Sequence, residues 1–149
     1  MKFKNLCLIL VLLYAISSCN SKWDNYKATQ ADKMTQNNLI RSWKINQLVG
    51  PEGGDKFFLN QSQSIWGNFI EFKSNGTFVS WYSADCGNDC FTTNLGKYQI
   101  INVHYIRLII TKSSQDGECE KFEKSFNRDL GLYQISNVAH GIDLIKFDE

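Results

Sequence analysis

The sequence is poor in proline, histidine and net charge. Its 149 residues include one proline, two histidines, and 16 basic against 15 acidic side chains. Nucleic-acid surfaces carry clustered lysine and arginine, and this chain has no basic run, so we expect no nucleic-acid partner. Two histidines and scattered acids give no catalytic triad and no assignable pair of catalytic carboxylates. We therefore predict a protein that is not an enzyme and has no cofactor.

The longest apolar run, 6–16, follows Lys2 and Lys4 and has about half the length that spans a bilayer. A basic start followed by a short apolar stretch is typical of a secretory signal peptide. The ending ISSC, at 16–19, matches the bacterial lipobox, in which the cysteine is lipidated and becomes the mature N-terminus. An ordinary cleaved signal with an incidental cysteine is the alternative. We predict a signal peptide over 1–18 and a lipid anchor on Cys19 that holds the protein on the bacterial cell envelope, at the outer membrane.

A polar tether and one folded domain are expected after the signal. Residues 19–38 are mostly Asn, Ser, Lys, Gln, Thr and Asp, which is typical of a tether. Residues 39–149 are enough for one domain with its own core. Aromatic and β-branched residues cluster there in short runs, which favours an all-β body.

Eight runs of strand character succeed one another in this domain, mostly with short links. No helix long enough for a parallel crossover lies between them, so we predict an eight-stranded antiparallel up-and-down barrel. A barrel of this size is either filled by side chains or holds one small ligand. An open sandwich of the same strands is the alternative. The predicted strands are 39–49, 66–73, 77–82, 92–101, 104–112, 119–127, 130–136 and 142–148, with a short ordered piece at 57–59.

Three segments resemble a known family. LIRSWKI, at 39–45, resembles the opening strand of lipocalin-like domains, in which a tryptophan, here Trp43, lies across the closed bottom of the barrel. FIEFKSNGTFVSW (69–81) and LGKYQI (95–100) resemble segments of the small lipocalin-like lipoproteins common in Bacteroidetes. Arg41 stands where the family motif has glycine. The resemblance implies a barrel with one open end and, often, an apolar ligand, although many members have no known ligand.

The connections of an antiparallel meander alternate between its two ends. The longer polar connections are therefore predicted to gather at one end, the open rim, and the tight turns at the other, near Trp43. This places the cysteines Cys86, Cys90 and Cys119 at one rim together with His140. The predicted rim connections are 50–65, 83–91, 113–118 and 137–141, and the predicted turns are 74–76, 102–103 and 127–130.

Three cysteines remain after signal removal and lipidation, so one is left over. An exported protein meets an oxidising compartment, which favours a structural disulfide. A Cys3His zinc site formed with His140, or free thiols, are the alternatives. Pairing Cys119 with Cys86 or Cys90 would close about 30 residues and stabilise by roughly 3–4 kcal/mol, more than a Cys86–Cys90 bridge. We favour a pairing of Cys119.

Several aromatic side chains are candidates to line a ligand cavity. The simpler alternative is that they fill the core, since a barrel this small can be packed solid. Two functional hypotheses follow. The first is a lipid-anchored protein that binds a small apolar or amphipathic ligand at the open end of the barrel. The second is a non-catalytic interaction lipoprotein with a filled barrel, whose rim loops contact an envelope or extracellular partner. The candidate cavity residues are Trp66, Trp81, Tyr82, Tyr98, Phe122 and Phe126.

Overall fold

The computed structural model describes residues 35–85 and 88–148. The predicted signal peptide, the lipidation site Cys19, most of the predicted tether and Cys86 lie outside these residues. Within the two described ranges, no helix has the length and hydropathy needed to cross a membrane.

Eight antiparallel strands close into a barrel, which confirms the predicted all-β fold and is consistent with a lipocalin-like architecture. From β3 to β8, each strand is hydrogen-bonded to the next strand in the sequence, which gives the predicted up-and-down order. β1 pairs with β3, and β2 closes the barrel between β1 and β8. The strands are β1 (Ser42–Ile45), β2 (Lys56–Asn60), β3 (Gly67–Phe72), β4 (Thr77–Ser83), β5 (Cys90–Asn102), β6 (Tyr105–Gly117), β7 (Phe122–Val138) and β8 (Gly141–Phe147).

Four strands differ from those predicted. β1 covers only Ser42–Ile45 of the predicted 39–49, and β6 runs to Gly117 through the predicted rim connection 113–118. The short ordered piece at 57–59 is the middle of β2, which pairs with β8 along its whole length. The predicted sixth and seventh strands are one strand, β7, and the predicted turn at 127–130 is an irregularity within it. Gly131 has a φ of 89° there, and the register with β6 shifts at this point. The total of eight is therefore right, but the connection after β7 falls at the opposite end of the barrel from the predicted one.

The interior is packed with large apolar side chains. Along β6, for example, Ile106, Leu108 and Ile110 are fully buried and alternate with partly exposed residues, as expected for one inward face. The Phe72 ring lies 5.9 Å from the ring of Phe78 and 5.1 Å from that of Tyr98, measured between centroids. Each fully buried side chain of this kind contributes about 1.5–3 kcal/mol. The largest fully buried side chains are Tyr133, Phe57, Phe72, Phe78, Leu39, Leu59, Ile70, Ile106, Leu108, Ile110 and Leu144.

Both ends of the barrel are covered by the chain itself. At the end where β1 finishes, the β1–β2 connection, 46–55, inserts the fully buried Val49, whose backbone N–H donates to Ser80 Oγ at 3.1 Å. The hydroxyl of Tyr133 donates to the carbonyl of Gly54 in the same connection at 3.0 Å. At the other end, a helical turn over 35–39 buries Leu39. We call these the disulfide end and the Trp43 end, respectively.

Candidate functional site

Three strands continue past the closed barrel at the disulfide end. The segments 90–92 of β5, 112–117 of β6 and 122–127 of β7, with the turn 118–121, form what we call the projection. β8 pairs with β7 only from Leu132 onward, so the outer half of β7 has β6 as its one strand neighbour among the described residues. Residues 122–125 are all exposed. The projection thus presents side chains to solvent on a regular strand framework.

A disulfide closes the tip of the projection. Cys90 and Cys119 are bonded, with Cα atoms 5.3 Å apart and a separation of 29 positions in the sequence. The favoured pairing of Cys119 is therefore confirmed, with Cys90 as its partner. Gly117 is in the left-handed region at φ 95°, and a Cβ there would collide with the carbonyl oxygen of Asp89. Only glycine fits at this position, because the two backbone segments lie so close together. The backbone N–H of Glu118 donates to the same carbonyl oxygen of Asp89 at 3.2 Å.

Two acids near the tip have structural partners. The hydroxyl of Tyr82 donates to Asp89 Oδ2 at 2.8 Å, and the N–H of Cys90 donates to Oδ1 of the same carboxylate at 2.9 Å. Asp116 Oδ1 lies 2.7 Å from Lys121 Nζ and also accepts the N–H of Gly117 at 2.7 Å. The hydrogen bond from Lys121 is the main cause of a lowered pKa at Asp116. These carboxylates hold the loop ends together.

The aromatic residues predicted to line a cavity are spread over different parts of the molecule. Trp66 and Phe122 are exposed, at 42% and 43%. Trp81 stacks on Phe69, with ring centroids 5.4 Å apart. Because the neighbouring Ser80 faces inward, the side chain of Trp81 lies on the outer face of the strand. Tyr82, besides its bond to Asp89, stacks on Phe91, which follows Cys90 near the tip of the projection.

The remaining two candidates belong to the core. Tyr98 is 7% exposed, donates its hydroxyl to the carbonyl of Lys73 at 2.7 Å, and lies inside the barrel. Phe126 is partly buried and packs against the edge of the core. The six aromatic residues therefore do not share a cavity, because two lie at the surface, two stack on neighbouring rings and two belong to the core. This placement corrects the predicted cavity lining.

The zinc alternative is also corrected. Cys90 and Cys119 are joined in the disulfide, and His140 lies in the β7–β8 turn at the Trp43 end. Across 35–85 and 88–148, no three side chains of the His, Cys, Asp or Glu type meet in a way that could hold a metal ion. The physical reason is the number of strands that precede the turn, since this number decides at which end of the barrel the turn falls. Because β7 is one strand, the turn that carries His140 falls at the far end from the cysteines.

A cleft at the Trp43 end was not predicted from the sequence. It has a volume of about 520 Å³ and lies between the helical turn, the start of β1 and the β7–β8 turn. Trp43 is 4% exposed, and its indole Nε1 donates to the Leu39 carbonyl at 3.0 Å. Gly141 allows β8 to begin tight against β2, because a Cβ there would lie on the Leu59 carbonyl oxygen. The lining residues come from three separate stretches of the chain, 38–43, 61 and 137–142, and have no motif, so no sequence signal marks them.

Comparison of the chain with known protein families, with curated proteins and with solved structures found no match.

Proposed function

We propose that this chain is a lipid-anchored, non-catalytic interaction protein of the bacterial cell envelope, related to the lipocalin-like lipoproteins, whose projection contacts a partner. The observation that carries the proposal is the exposed stretch 122–125 on a strand outside the core. Ordering a residue costs about 1–2 kcal/mol of backbone entropy, and exposed side chains gain little burial energy to offset this cost. A framework kept rigid without burial is typical of a surface used for recognition.

The filled barrel favours this function over ligand binding at the disulfide end. A closed eight-stranded barrel is compatible with holding a small molecule. Here, however, Phe57, Phe72 and Tyr133 are fully buried in the interior, and Val49 covers the disulfide end. A ligand entering there would have to displace the β1–β2 connection and its hydrogen bonds to Ser80 and Tyr133.

The charge of the projection suggests the chemistry of the partner. Residues 90–92 and 112–127 contain four acidic and three basic side chains, a net charge of −1. Lys112 pairs with Glu123 at 2.8 Å and Lys121 with Asp116 at 2.7 Å, whereas Glu118 and Glu120 are exposed. A partner with a basic surface fits this distribution, and complementary charge chiefly raises the association rate and the specificity.

Site-specific photo-crosslinking in intact cells tests the contact surface. A benzophenone amino acid replaces Phe122, and the matched control replaces Phe147, which has the same 43% exposure but lies on the barrel. We expect a crosslinked product of one defined mass from position 122 and none from position 147. Glu118→Lys with Glu120→Lys should reduce that product, whereas Glu52→Lys with Asp148→Lys should not. Equal crosslinking at both positions would contradict the proposal.

The anchor has its own test, independent of the partner. Cys19→Ala should remove the lipid mass from the intact protein and release it from the membrane fraction, because stable anchoring depends on the acyl chains. A Cys19→Ala protein that keeps its membrane association and its mass would contradict the lipoprotein assignment and leave the crosslinking result standing.

A further inference from the structure

The cleft at the Trp43 end has the side chains of an anion site. Arg41 and His140 line it, together with the amides of Asn38, Gln61 and Asn137, and no lining residue is acidic. These side chains offer several N–H donors to one small space. A carboxylate or phosphate is the ligand group that accepts such donors most strongly.

The guanidinium of Arg41 is available for this role. Its Cζ lies 5.3 Å from the centroid of the Trp43 ring, a cation–π contact that holds the group at the edge of the cleft. Within the described part of the chain, no carboxylate forms an ion pair with Arg41. Asp143, the acid nearest along the chain to the lining residues of β8, is already paired with Lys56. An incoming anion would therefore meet an uncompensated positive charge.

A second, apolar cleft adjoins the first. It has a volume of about 400 Å³, is lined by Phe58, Val138 and the Lys56–Asp143 ion pair, and shares Ala139 and His140 with the polar cleft. Val138 is 39% exposed on this surface. A polar pocket that opens onto an apolar groove matches a molecule with a charged head and a hydrocarbon tail.

We propose that this pair of clefts binds a small amphipathic anion, with its carboxylate or phosphate at Arg41 and its alkyl chain along Phe58 and Val138. The site is separate from the projection and does not depend on the interaction function. Its combined size falls in the range of small-molecule sites, and it is far too large for an inorganic ion alone.

The experiment is an NMR titration of 15N-labelled full-length protein with octanoate, octyl phosphate, butyrate and 1-octanol. The indole N–H of Trp43 and the amide of Gly141 report binding at the cleft. We expect both octyl anions to shift these signals in a saturable way, octanol to do so weakly, and butyrate to bind at least tenfold more weakly than octanoate. The last expectation follows because each buried CH2 contributes roughly a threefold to fourfold gain in affinity.

Matched variants separate the head from the tail. Arg41→Gln should weaken octanoate binding about tenfold or more, because a charge-assisted hydrogen bond is lost. Arg128→Gln, the same change on the outer half of β7, should leave binding unchanged. Val138→Ser should weaken octanoate but not butyrate.

Three results would overturn the proposal. These are an octanol response equal to that of octanoate, unchanged affinity in Arg41→Gln, or shifts that centre away from the cleft. Binding to phosphatidylglycerol vesicles without any response to the free anions would likewise overturn it, since the membrane rather than a free molecule would then be the ligand.

Discussion

The barrel body and the projection share the strands β5, β6 and β7, but different forces hold them. In the body, the inward face of these strands is buried among rings and aliphatic chains, as Ile106, Leu108 and Tyr133 show. In the projection, a disulfide, ion pairs and close backbone contacts at Gly117 take the place of a core. The comparison shows how a strand framework can extend into solvent and stay ordered once cross-links replace burial.

The largest contrast is expected from removing one aromatic ring in each region. Phe72→Ala should lower the free energy of unfolding by about 3–5 kcal/mol, since the ring is 1% exposed and leaves a cavity. Phe122→Ala removes the same ring from the projection and should change it by no more than about 0.5 kcal/mol. Urea denaturation followed by tryptophan fluorescence measures both. Similar losses in the two variants would mean that the projection has a core of its own.

The disulfide gives the next largest effect. Replacing Cys90 and Cys119 by alanine should cost about 3–4 kcal/mol in the chain-entropy treatment of a loop of this length. The loss should also be local. Hydrogen exchange should accelerate more at 113–116 and 122–125 than at 106–110, where packing protects the same strand.

Cys86→Ala is the control for the disulfide variant, because peptide mapping without reduction should still find Cys90 joined to Cys119. Uniform loss of protection along β6 would contradict the separation of the two regions.

Two tyrosine hydroxyls allow a smaller comparison. Tyr133→Phe removes a bond to Gly54 that links residues 79 positions apart and leaves that carbonyl unpaired, at a cost of about 1–2 kcal/mol. Tyr82→Phe removes a bond to Asp89 near the tip of the projection, where Tyr82 is more exposed than Tyr133, and should cost about 0.5–1 kcal/mol. Chemical denaturation at pH 7 checks both values. A larger loss at Tyr82 than at Tyr133 would reverse the proposed ranking of the two regions.

Tyr133 also gives the body a dependence on alkaline pH. Burial is the main cause of its raised pKa. The unfolded chain therefore loses this proton first, so the stability is fully present below the ordinary tyrosine pKa and declines as the pH rises through the folded value. Tyr133→Phe should make the denaturation midpoint less sensitive to pH above about 10, the ordinary tyrosine value.

The same division explains what the sequence could predict. Strands that bury one face show alternation, so those containing Trp43, Phe72 and Leu108 were recognisable. The turn at 74–76 was also predictable, because an Asn-Gly pair favours a positive φ in a tight turn. Gly76 has a φ of 79° in the structure. The all-β class and the pairing of Cys119 followed from these local signals and from the compartment that the predicted signal peptide implies. The strand total of eight was right because the split of β7 offset the underestimate of β2.

The outer half of β7 could not be recognised in this way. Both of its faces meet solvent, so alternation disappears and the polar stretch around Asp129 resembles a turn. That one error reversed the end assigned to the β7–β8 connection and moved His140 to the wrong rim. β2 was underestimated for a related reason, since five residues in a polar stretch show little until β8 pairs with them. The cleft at the Trp43 end depends on β2 and on the β7–β8 turn, so the sequence pattern could not predict it.

The smallest expected effect concerns the exposed pair at the tip of the projection. Lys121→Gln removes the main cause of the lowered pKa of Asp116, so this pKa should rise toward its ordinary value. The rise should be incomplete, because the N–H of Gly117 still donates to the carboxylate. Because the pKa of Asp116 is lower in the folded than in the unfolded state, the ionised carboxylate stabilises the fold above the unfolded pKa. This stabilisation is lost as the pH falls through the folded pKa. A carboxyl 13C NMR titration of Asp116 measures the change, with Lys124→Gln as a control that removes an equal charge from the projection. If both variants raised the pKa equally, the field of the whole projection would be responsible, and the tip would be ordered by its net charge as well as by its contacts.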